Sequence, residues 1–309
     1  MTDTLIVAVR WALYIDLGLL FGLPLFALYA LGGDEAHGRY LAWKPTVCLL
    51  ALAGVVISLF GFALQTAAMA GASIWQIDGE IVAMVLRETP LGLAFQVRGA
   101  ALATVIIGIS LSSWASRPAQ WISTLGGGVA LATLAWSGHS AAGTGSAGWF
   151  HLGAGILHLL AAGAWLGAIL AFLVLISGKK ASSDITRIHL AHRALEGFAV
   201  VGTVVVAVIV ATGLINSLFL VGPEHVLQLG ASLYGQILIA KLALFAAMLG
   251  MATINRYRLS PALGRALGSA VEAPTIGRLR KSLLIEGGIA LTIFALVGWL
   301  GTLSPPVAA

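Results

Sequence analysis

Eight runs of mostly apolar residues, each near or above the roughly 20 that a helix needs to cross a hydrocarbon layer, divide this chain between short polar segments. They lie near residues 5–32, 46–71, 91–114, 119–138, 149–177, 196–222, 231–255 and 280–303. The 309 residues are 59% hydrophobic and only 9% charged, a composition outside the range of soluble globular domains. Run length and periodicity predict an all-α fold, a polytopic membrane helical bundle of about eight transmembrane helices. We expect one membrane domain over 1–309, with the first four spans in 1–148 and the last four in 149–309. The first run reads as a span rather than a signal peptide, because it carries Asp3, lacks a basic leading segment and is long for such a region. The 38 glycines fit helices that approach backbone to backbone in lipid, where small residues permit close contact.

Loop charges then orient the bundle. The loops after spans 1, 3, 5 and 7 hold Arg39 and Lys44, then Arg117, then Lys179, Lys180, Arg187 and Arg193, then Arg256, Arg258, Arg265, Arg278, Arg280 and Lys281. The opposite loops hold Arg87 against Asp78, Glu80, Glu88 and Glu224. Basic loops stay cytoplasmic, so both termini are expected outside, periplasmic in a bacterial inner membrane. The formal charge of +5 thus reflects topology and gives no reason to expect a nucleic-acid partner. Between spans 2 and 3, Ile74, Ile77, Ile81, Met84 and Val85 recur at helical spacing, which predicts a short amphipathic helix on the outer surface. Cys48 is the single cysteine, so an internal disulfide and any cysteine-built zinc or iron–sulfur site are excluded.

Histidines gather at the end expected to face outward. His139 ends span 4, and span 5 opens with Trp149, Phe150 and His151 and continues to His158 and Trp165, each seven residues apart. Seven residues are two turns, so these side chains share one helix face with roughly 10 Å between successive members. His139 is tied nearby by a short glycine-containing connection, which lets three imidazoles approach one vestibule. Imidazole binds copper, zinc, nickel or iron, with Cu(II) at the head of the divalent order. The plainer alternative is that His139 and His151 bond water or headgroups and His158 bonds a neighbouring helix. An ionisable group inside a membrane is costly and marks pathways, which singles out His158. Met69, on the outer side, is a candidate soft auxiliary ligand.

Four stretches resemble the CopD family of copper resistance membrane proteins. They are His158 to Gly167 (HLLAAGAWLG), Tyr234 to Lys241 (YGQILIAK), Asn255-Arg256, and Arg280 to Glu286 (RKSLLIE); the turn Ser137-Gly138-His139 is also similar. The CopD-like region spans about 198–303. The resemblance implies an eight-span inner-membrane protein that takes copper from the periplasm, with a CopC-like copper-binding protein as partner. Its metal role carries over to His139, His151 and His158. No fused CopC-like segment is present, so that partner would be a separate protein.

Other polar groups inside the spans have structural explanations. Asp16 and Lys241 both sit about 16 to 18 Å deep and are expected to pair, with a proton or counter-ion role in transport as the alternative. Arg256 is expected to lock onto Glu286 at the inner edge, and Arg10 and Arg98 to snorkel outward. Cys48, Met248 and Met251 form a conceivable inner soft site, with packing the simpler account. His189 and His192 are expected on the surface of an amphipathic helix within 182–196. No catalytic residue is assigned, and the chain is not expected to be an enzyme. No nucleotide-binding loop is seen, so transport would draw on a gradient or on ligand exchange. The leading reading is copper transport; the alternatives are a b-type cytochrome with bis-histidine haem and a non-transporting copper chaperone or sensor.

Overall fold

The computed structural model describes residues 2–31, 43–111, 117–138, 145–177, 185–267 and 272–308. These form α1 (Thr2–Ala30), α2 (Trp43–Ala70), α3 (Gly79–Glu88), α4 (Pro90–Leu111), α5 (Arg117–Ala132), α6 (Gly145–Ile176), α7 (Ile185–Leu220), α8 (Leu233–Ile254), α9 (Ser260–Ala266) and α10 (Glu272–Leu300). No strand occurs among the described residues. The fold is an all-α polytopic membrane bundle, and among the described residues seven helices are long and apolar enough to cross a bilayer. The segment expected as span 4 is α5, 16 residues, continued by a 3-10 turn over Thr133–Ser137. Together these reach about 34 Å at 1.5 and 2.0 Å per residue, enough for the hydrocarbon layer although the α-helical part alone is short.

Helix ends overrun the apolar runs. α7 begins at Ile185, so the stretch expected as a separate amphipathic helix is the first turns of the span itself. α10 begins at Glu272 and carries Arg278, Arg280 and Lys281 before its apolar part. Hydropathy detects only the portion in hydrocarbon, while backbone hydrogen bonding carries the helix into the headgroup zone. The surface helix between spans 2 and 3 is present as α3, capped by Asp78, whose carboxylate accepts from the Glu80 amide at 3.0 Å.

α1 is the central post, packing against α2, α5, α6 and α10. Its closest neighbour is α6, and the two cross on glycines: Gly18 and Gly22 of α1 lie on Gly163 and Gly167 of α6. A Cβ on Gly22 would fall on the Gly163 carbonyl oxygen and 2.9 Å from Gly167 Cα. Both helices thus present glycines four residues apart, the pattern that lets backbones touch in lipid. Two residues on, Pro24 has no N–H for the Leu20 carbonyl, and Gly127 of α5 packs onto that carbonyl, 2.8 Å from where a Cβ would stand. Lengthening the glycine side chain there would expel α5 from α1.

The remaining helices form a second group in which α7 packs on α6 and α8 packs on α10. α7 and α8 do not pack along one another, so α6 and α10 form the floor of a cleft between them. Helix direction puts the start of α1, the start of α6, the end of α7, the start of α8 and the end of α10 at one end of the bundle, called here the termini end.

Candidate metal site

The termini end contains a cavity of about 140 Å³ between α1, α6, α7, α8 and α10. His158, Lys241, Tyr234, Asn216, Arg10 and Tyr14 contribute its polar lining. His158 Nδ1 lies 2.9 Å from Thr212 Oγ1. The Thr212 hydroxyl donates to the Val208 carbonyl at 2.6 Å, so its oxygen is left to accept from the imidazole N–H. That bond places the hydrogen on Nδ1 and makes Nε2 the basic nitrogen, the tautomer a metal-ligating histidine needs. Asn216 Oδ1 is buried with no hydrogen-bond partner among the described residues, a further acceptor in the same wall.

Of the three predicted ligands among the described residues, His158 alone lines the cavity. His151 is 4% exposed and stacks on Phe219 of α7, ring centroids 4.6 Å apart and planes 6° from parallel. Its seven-residue offset from His158 keeps both on one stripe but two turns apart. Met69 is 62% exposed near the end of α2, which packs on α1 and α4, away from α6 and α7. His139 lies outside the described residues. Among the described residues no three His, Cys, Asp or Glu side chains converge as a metal cage.

Several expected pairings are replaced. Asp16 does not meet Lys241: it faces α2, where a Cβ on Gly54 would stand 2.8 Å from Asp16 Oδ2, and that oxygen has no partner among the described residues. Equal depth misled here, because Asp16 is two residues, about 200°, around α1 from Tyr14, which faces the cavity with Lys241. Arg256 does not meet Glu286 either; it donates to Thr203 Oγ1 at 2.7 Å and lies over the Tyr257 ring. Arg98, rather than snorkelling, is buried and donates to Thr133 Oγ1 at 2.8 Å. Arg10 lines the cavity instead of reaching outward. Cys48 sits on α2 and Met248 and Met251 on α8, helices that do not pack together, so no inner sulfur site is assembled. His189 is exposed as expected, but His192 packs against Gly264 of α9.

The sequence reading did not foresee what surrounds Glu286. Its Oε1 accepts from Trp165 Nε1 at 2.9 Å and its Oε2 from Asn255 Nδ2 at 2.8 Å. Trp165, Asn255 and Glu286 come from three of the stretches that carried the family resemblance, so residues far apart in sequence meet at one point. Asn255 opens a π-helical turn, Asn255–Leu259, that links α8 to α9. Such turns insert one extra residue and re-aim side chains. Beside this triad a second cavity of about 650 Å³ lies in the cleft between α7 and α8, towards the opposite end of the bundle.

Fold and site together define a multi-pass helical membrane protein with a small histidine-bearing cavity at one end and a larger carboxylate-bearing one towards the other. Residues 1–149 match the family described as copper resistance protein D-like, N-terminal domain, and residues 192–300 the family described as copper resistance protein D. Copper resistance protein D of Pseudomonas syringae pv. tomato is 41% identical over 310 residues, covering 100% of this chain and 99% of that one. Inner membrane protein YebZ of Escherichia coli (strain K12) is 30% identical over 175 residues, 56% of this chain and 55% of that one. No solved structure gives a significant match. The chain belongs to the copper resistance protein D family: it is a multi-pass inner-membrane protein with a role in copper resistance and homeostasis.

Proposed function

We propose that this protein moves copper across the inner membrane, from the periplasm towards the cytoplasm, with the ion first captured at His158 in the termini-end cavity. The observation that carries this reading is the Thr212 bond to His158 Nδ1, which prepares Nε2 as a lone-pair donor facing a cavity of about 140 Å³ inside the helix bundle. Copper is the substrate here, not a resident cofactor, and transport rather than catalysis is the activity. His151, at the outer end of the fifth span, and His139, which precedes that span in sequence, are proposed as outer auxiliary ligands, with Met69 as a peripheral soft one. A separate periplasmic protein of the CopC kind is proposed to deliver the ion. Lys241 shares the cavity, so an arriving cation repels its ammonium form. Entry of copper is therefore tied to loss of that proton or displacement of the side chain.

The test is metal analysis of purified protein beside alanine variants, followed by uptake into proteoliposomes. His158→Ala should lose bound copper while remaining folded, and His151→Ala, whose ring packs on Phe219, should lose stability more than copper. Wild-type vesicles should accumulate copper internally. Saturable binding without accumulation would make the protein a copper holder instead, and a Soret band in the purified protein would replace copper by haem.

A further inference from the structure

Glu286 is unused by the copper site just described, yet it is a carboxyl group 3% exposed inside a membrane bundle. An ionisable group so placed is expensive to keep and needs an identifiable partner. Its two oxygens accept one N–H each from Trp165 and Asn255. Asn255 is itself 7% exposed, and its Oδ1 is buried with no partner among the described residues. That combination has two satisfied arrangements. With Glu286 ionised, the Asn255 amide donates to it; with Glu286 protonated, a half-turn of the amide puts Oδ1 in the same place to accept the carboxylic O–H, and the heavy-atom positions are the same in both. Glu286 and Asn255 both line the 650 Å³ cavity, which gives a released proton somewhere to go.

The other titratable groups on that cavity are Glu196 from α7 and Arg256 and Tyr257 from the turn after α8; α6 offers Trp165 and no titratable group. From α1, the helix that packs on α10 from the far side, Arg10 and Tyr14 face the termini-end cavity instead. α9 bears Arg265, and α10 itself bears Arg278, Arg280 and Lys281 in the turns before Glu286. Trp165 lines the second cavity and sits on the helix that carries His158 into the first. It lies two turns from His158 on α6, roughly 10 Å, and meets Phe245 of α8 edge-on at 6.4 Å, one turn beyond Lys241. Were a positive charge at His158 on the order of 10 Å from Glu286, the two-turn rise to its partner Trp165, each unit charge would shift a protonation equilibrium roughly tenfold at an effective dielectric near 20.

We propose that the Glu286 carboxyl group, held between Trp165 and Asn255, is a proton-exchange site that releases its proton into the second cavity when copper occupies the first. The step is a simple ionisation, carboxylic acid to carboxylate plus a proton passed to cavity water, with no change in the oxidation state of copper. It rests on copper capture at His158 but not on transport. The test counts protons released into weakly buffered solution as Cu(II) is added to purified protein, for wild type and Glu286→Gln at equal copper stoichiometry. Lys241 contributes equally to both, so wild type should release roughly half a proton more per copper for the tenfold shift of one added charge, and at most about 0.8 for the two charges of Cu(II). Infrared difference spectra of wild type should show a carboxylic-acid C=O band lost on copper addition, and this band decides the matter should Glu286→Gln fail to fold. Equal proton release, or no such band, overturns the proposal while leaving capture intact. A wild type that shows the extra release yet never accumulates copper in vesicles keeps this inference and removes transport.

Discussion

An imidazole can give a metal one lone pair only while its other nitrogen is kept occupied, and at His158 that duty falls to a threonine on the next helix. Thr212 Oγ1 is itself fixed by the Val208 carbonyl at 2.6 Å, so the hydrogen-bond chain has one direction. Thr212→Val keeps the shape and removes the acceptor. We expect copper affinity in that variant to fall roughly 10- to 100-fold, the usual effect of losing such a partner, with the unfolding temperature nearly unchanged. Competition against a copper chelator measures it, and unchanged affinity would detach Thr212 from the metal. His158 was legible in the sequence because its seven-residue spacing from His151 and Trp165 is visible there. Thr212 was not, because it lies 54 residues away and reaches His158 only through the α6–α7 packing. The Trp165–Glu286–Asn255 triad escaped for the same reason: its members are 121 and 31 residues apart in the two bonds that join them.

Among elements, the crossing of α1 and α6 sets where everything else can sit. α6 carries His158 on the face towards α7 and α8 only because glycines let its other face lie directly on α1. In Gly22→Leu the new side chain would collide with backbone atoms of Gly163 and Gly167, which cannot yield as a flexible side chain could. Overpacking of this kind costs about 1 to 3 kcal/mol or more, so a clear fall in thermal stability in detergent is expected. Gly99→Ala is the control, since nothing lies within 4 Å of the added methyl, and it should leave stability the same or slightly higher. Equal behaviour of the two variants would mean that the crossing is not what holds the helices. Glycine abundance was readable from composition, but which glycines face which helix depends on the rotation of α1 and α6. The same rotation explains why Asp16 and Lys241 match in depth and still point apart. Span existence, by contrast, needed only hydropathy, and the clearest departure is at α5, where a 16-residue helix finishes in a 3-10 turn.

At the scale of the whole molecule, two cavities lie towards opposite ends of the bundle, with the Trp165–Phe245 contact between them. Movement of an ion requires that each cavity communicate with one aqueous side while that aromatic contact keeps them apart. Loop charges predict which side is which, with the termini end outward. Cysteines introduced into a Cys48→Ser background test separation and orientation together. Asn216→Cys marks the first cavity and Thr253→Cys the second, and a membrane-impermeant maleimide is applied to intact spheroplasts. We expect Asn216→Cys to be labelled from outside and Thr253→Cys only after the cells are opened. Adding Phe245→Ala to Thr253→Cys removes one side of the partition, and labelling from outside should then appear. Reversed labelling of the two single cysteines would turn the bundle over and make the direction of movement outward. Labelling of Thr253→Cys from outside with Phe245 in place would mean the cavities already communicate, which an ion pathway with a closed middle does not allow.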